Sequence, residues 1–246
     1  MLYYFAQLNL KLLLVIIVFG MIMSKTRQIA SQNFSKKASG YYIMDFFNLV
    51  GTPVHEFGHL FFGLLFGYHI DKICLYRSTK KAMRHGGALG FVKMHHKRET
   101  LFQQLTGDAG QFFIGIGPLL LGPATILLIG HFLPDNLKAL PSAFQDGAQI
   151  FLKALQQLSG TDIIIMFVYL YIIIGISLNM ELSRQDLHLA WKGLFLLELF
   201  FFMLSASAFL FQWDLNIAIN LLFQWNLLIS SVGIICSLMA NLIALI

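Results

Sequence analysis

The chain has 246 residues, 57% hydrophobic and only 12% charged, with a formal net charge of +5. A soluble domain carries about twice that charged fraction, so the composition excludes an ordinary soluble enzyme and points to a polytopic membrane protein. The basic excess flanks apolar runs, as anionic headgroups and orientation signals require, and no basic–aromatic platform for nucleic acid is visible.

The first apolar run, residues 4–23, contains "LLLVIIVFGMIM" and reads as a span. Lys11 precedes its apolar core as in a signal peptide, but no small-residue cleavage site follows, so the segment is expected to stay. A basic connection (24–40) leads to a second span at 41–67. Pro53 lies inside it, and predicts either a kinked helix or a new helix opened by Thr52 as N-cap. Residues 68–110 turn polar, and "GGALGFVKMHH" reads as a glycine turn followed by a short alternating strand. Cys74 lies in this stretch and Cys236 in a distant apolar run, with no C-x-x-C, so neither a disulfide nor a thiolate metal site is expected.

A third span, 111–133, holds Gly115, Gly117 and Gly122 for close helix approach, with Pro118 and Pro123 bending the segment. In the loop that follows, Ala148, Phe151, Leu152, Leu155 and Leu158 recur at helical spacing, as in a helix lying on a bilayer surface. A short fourth span (163–179), a polar patch "MELSRQDLHLAWKG", a fifth span (194–211) and a sixth within 215–246 complete the chain. The expected fold is therefore all-α and polytopic, about six transmembrane helices in one membrane domain (1–246), with a short membrane-associated strand or hairpin after the second span.

Inside the second span stands "HEFGH", with His55, Glu56 and His59. Ionisable residues at membrane depth cost free energy and mark function. Four residues advance a helix by ~400°, so His55 and His59 project from one face about a turn apart. Both imidazoles can then reach one zinc ion at ~2.0–2.1 Å, with Glu56 near enough to act as general base on water. Zinc needs a third protein ligand from elsewhere. His69, His85, His95 and His96 lie in the basic loop and His131 at a span end, which suits solvated side chains better. Glu181, Asp186 and His188 cluster after the short fourth span, and spacing alone leaves the choice among them open.

In order along the chain, "HEFGH", then "GFVKM" and "GIGPLL", then "NMELSRQD" resemble the site-2 protease family of intramembrane zinc metalloproteases. The resemblance covers a catalytic core of about 45–195, leaving 1–40 and 196–246 as accessory spans. It departs from the family pattern at Leu187, where a glycine usually follows the aspartate, and at Leu121, where an asparagine is common. It implies one Zn²⁺ per chain, held by His55, His59 and Asp186, with Glu56 as the catalytic base. A transmembrane protein substrate would partly unwind, pair with an edge strand at Gly90, Phe91 and Val92, and bond to Asn179; Gly117 and Pro118 would pack beside the site. The resemblance also places residues 68–108 and both termini in the cytosol, within what is expected to be a bacterial cytoplasmic membrane. Two other classes compete with a protease: a catalytically silent membrane scaffold, and a metal transporter. A structural zinc site has no use for Glu56, and few in-span acids mark a transport path.

Overall fold

The structure, a computed structural model, describes residues 2–35, 40–84, 86–97 and 99–245. Lys36, Lys37, His85 and Arg98 of the basic segments lie outside these residues, as does the side chain of Cys236. Helix α1 (Leu2–Leu8) passes through a π-helical turn at Asn9–Leu13 into α2 (Leu14–Ser35). Then come α3 (Gly40–Leu65), β1 (His69–Cys74), α4 (Thr79–Met83), β2 (Phe91–His95) and α5 (Leu101–His131). The short helices α6 (Asp135–Lys138), α7 (Leu140–Gln145) and α8 (Ala148–Gln156) precede α9 (Gly160–Leu178), α10 (Arg184–Leu210) and α11 (Asn216–Leu245). Among the described residues, four segments are long and apolar enough to cross a membrane: Leu2–Thr26, Gln103–His131, Gly160–Leu178 and Arg184–Leu210. Helix α3 is not one of them, because Asn48, Thr52, His55, Glu56 and His59 lower its hydropathy.

Of the two expectations at Pro53, the new helix does not hold. The proline lies inside α3, and Thr52 caps nothing. Helix α5 starts ten residues before the expected span, at Leu101. Its polar first turns are opened by a capping box in which Thr100 and Gln103 bond to each other's backbone N–H. Helix α8 matches the expected amphipathic segment, with Ile150 and Leu152 exposed.

Helices α9 and α10 both run antiparallel to α5. Tyr169 donates to the Ile126 carbonyl, and Gly122 packs on Ile176 and Met180, so α9 lies along the C-terminal half of α5. Gly115 abuts Asp186 and Ala190, and Gly193 abuts Phe112, so α10 continues along the N-terminal half. The expected fourth and fifth spans therefore do not fold back as a hairpin. They follow one path past α5, interrupted at residues 179–183, and the polar patch spans that interruption and the first turns of α10. Non-helical backbone at such depth survives only when buried in protein or lining a cavity.

That path also sets the ends of the chain. Helix α11 begins beside α1, where Tyr4 donates to Asp214 and Lys11 to Asn220, and its Ile234 packs near Ile126 and Ile176. It runs parallel to α1 and α2, so residues 2 and 245 lie at opposite ends of the bundle instead of on one side as expected.

The sheet is an antiparallel pair of β1 and β2, joined through α4 and, after it, Gly86 and Gly87 at φ of 85° and 86°. It lies along α3: Met94 packs on Gly63, and Gly90 lies against Glu56. Thr79, past β1, bonds through N and Oγ1 to Asp45 near the start of α3, fixing the far end of the sheet.

Candidate metal centre

Three close helix crossings converge on one level of the bundle. A Cβ on Gly51 would strike the Gly175 carbonyl of α9. One on Gly58 would lie 2.7 Å from Pro118 N, and one on Gly115 would lie 2.5 Å from the Asp186 carbonyl. Glycine at these positions lets α3, α5, α9 and α10 approach backbone to backbone. Gly117 and Pro118 thus pack against α3 at Gly58.

The contact draws His55, His59 and Asp186 together, with one ligand atom from each lying within 4.8 Å of the others. His59 Nε2 stands 3.1 Å from His55 Nε2 and 3.2 Å from Asp186 Oδ1, and His55 Nε2 stands 3.7 Å from Asp186 Oδ2. Nδ1 of His55 lies 2.6 Å from the Asn179 carbonyl, and Nδ1 of His59 lies 2.7 Å from the Ile114 carbonyl. A carbonyl only accepts, so in each ring the hydrogen sits on Nδ1 and Nε2 turns a lone pair inward. Two lone pairs and a carboxylate facing one another repel unless a cation lies among them. A proton could bridge one pair; a metal ion serves all three.

The spacing agrees with zinc. Ligands ~2.0–2.1 Å from a tetrahedral ion stand ~3.3 Å apart. Ring N–H groups held by carbonyls are the usual support of metal-bound histidines. The three donor residues all line one cavity of about 720 Å³. The donor set fits zinc without excluding other metals of similar preference.

Asp186 is oriented by the start of its own helix. Ser183 caps α10: its side chain accepts from Asp186 N, and its N–H donates to Asp186 Oδ2 at 2.7 Å. That leaves Oδ1 facing His59. An acid in the first turn is further favoured by the helix dipole. Of the other expected candidates, Glu181 lines the cavity but lies outside the triad, and His188 is exposed. His95 bonds to Asp71, His96 to the Phe66 carbonyl, and His69 stacks on His95, all away from the centre.

Glu56 is 6% exposed and lines the same cavity. Gly90 lies directly against it: a Cβ there would come within 2.7 Å of Oε1. The chain from Gly87 to Met94 forms one wall, so Gly90, Phe91 and Val92 border the cavity. Among the described residues β2 pairs only with β1, which leaves its other edge without a strand.

Asn179, expected as a substrate contact, has its side chain engaged within the protein. Its amide donates to Asn48 Oδ1 (3.1 Å) and the Gly175 carbonyl (2.9 Å), and its Oδ1 lies 3.3 Å from Thr52 Oγ1. The sequence reading missed Asn48 and Thr52 as parts of the site. Their signal was legible: residues 48, 52, 55, 56 and 59 form a polar stripe at helical spacing in an otherwise apolar helix.

No protein-family model matches the chain, nor does any curated protein or solved structure.

Proposed function

We propose that this chain is an intramembrane zinc metalloprotease of the site-2 protease type, cutting membrane-protein substrates. The observation that carries the reading is the inward convergence of two Nδ1-protonated histidines and a capped aspartate, with a buried glutamate on the same cavity. Zinc, when bound there, supplies a Lewis acid that acidifies water and polarises a carbonyl. Glu56 would take a proton from a water in the cavity and return it to the leaving amine. Gly90, having no side chain, leaves Glu56 the room to do so. The edge of β2 away from β1 holds an unwound substrate segment by strand addition, so that backbone bonds fix it in line with Glu56. Asn179 serves by holding His55 through its carbonyl.

In this reading six helical segments lie in the bilayer, α3 with its polar stripe among them and α9 and α10 sharing one path, and a bacterial cytoplasmic membrane is the expected site. A silent scaffold would need the metal but not Glu56. Glu56→Gln, nearly isosteric, separates the two. Membrane fractions from cells making the native chain should contain truncated single-span proteins that are missing with the variant, while both bind equal zinc. Identical fragment patterns would reject proteolysis.

A further inference from the structure

A second cavity, of about 340 Å³, lies between α2 and α10 on the far side of the 179–183 interruption from Glu56. Its floor is Phe112 and Ile116 of α5, and its walls include Ile17 and Trp191. The walls are open to the surroundings: Ile17 is 43% exposed and Trp191 74%. At one end the apolar lining gives way to Ser24, Lys25 and Gln28. Lys25 has no ion-pair partner among the described residues, and it sits at the end of the apolar stretch Leu2–Thr26, where a span meets headgroups.

We infer that this groove binds one glycerophospholipid, with an acyl chain against Phe112 and Ile116 and the phosphate at Lys25. An apolar trough with a cation, Lys25, at its polar end is complementary to a chain carrying an anionic head. The lipid would also bear on the metal centre from behind. Leu182 and Leu187 line the groove, immediately flanking the Ser183–Asp186 cap. The inference does not depend on the protease reading.

The test is native mass spectrometry of the full chain in mild detergent, titrated with phosphatidylglycerol, for the native protein, Lys25→Glu and Ile17→Trp. Equal melting temperatures without added lipid establish that the variants are folded. Lys25→Glu, at an exposed position, keeps the test available should Ile17→Trp not fold. The native chain should retain one lipid after others are stripped, with affinity reduced at least about fivefold in Lys25→Glu, as expected for one cation near a phosphate, and retention lost in Ile17→Trp. No retained lipid, or equal retention in all folded proteins, would overturn the assignment. So would a photo-crosslinker at position 17 that captured protein instead of lipid.

Discussion

The carbonyl oxygen of Asn179 lies 2.6 Å from Nδ1 of His55, at the residue where α9 stops. The same residue's side chain is tied to Asn48 and Gly175. Ending a helix at this depth therefore frees a carbonyl and aims it: α9 stops where a histidine of α3 needs an acceptor. Asn179→Ala keeps that carbonyl but removes the side-chain ties. Zinc affinity should fall ~10–100-fold, the usual effect of losing support behind a ligand. Competition titration against a chelating dye measures it, and an unchanged constant would show that the side chain does not position His55.

Ser183→Ala removes the hydroxyl that accepts from Asp186 N but keeps the backbone bond to Asp186 Oδ2. Loss of an N-cap costs ~1 kcal/mol. For a chain of this length that is a melting shift of about 2–4 °C. Calorimetry on the metal-free protein should show this fall. No shift would mean that the cap adds nothing to the start of α10.

Gly58→Leu places a Cβ 2.7 Å from Pro118 N and 2.8 Å from the Gly117 carbonyl carbon. These are backbone atoms, so relief requires moving α5 away from α3. The variant should fail to give a monodisperse folded protein. Gly160→Ala is the control: its Cβ meets nothing within 4 Å, and its effect should stay within about 0.5 kcal/mol. Size-exclusion profiles compare the two directly, and a well-folded Gly58→Leu would contradict the crossing described here.

The helix of the candidate metal centre could be read from sequence because its information is local: His55, Glu56 and His59 share one turn and a bit of one helix. The third ligand could not be read that way. Its position depends on how α5 brings α10 against α3, and spacing alone left Glu181, Asp186 and His188 open; only a family resemblance selected Asp186. A local signal did exist in Ser183 and Asp186, whose S-x-x-D spacing is a helix start. The abrupt polarity after the short fourth span marked a polar pocket, and Glu181, Ser183, Gln185 and Asp186 do line the cavity, but hydropathy alone could not show that α9 and α10 share one path. Strand β1 went unseen for another reason. The irregularity between Ile70 and Lys72 breaks the two-residue alternation by which a strand is recognised.

The central claim is that His55, His59 and Asp186 hold one metal ion, and metal analysis of the purified chain tests it most directly. Native protein should carry about one zinc per chain, and His59→Ala and Asp186→Ala should each lose it while remaining folded in detergent. Zinc retained by Asp186→Ala, or a native chain that takes up none when zinc is supplied, would contradict the account.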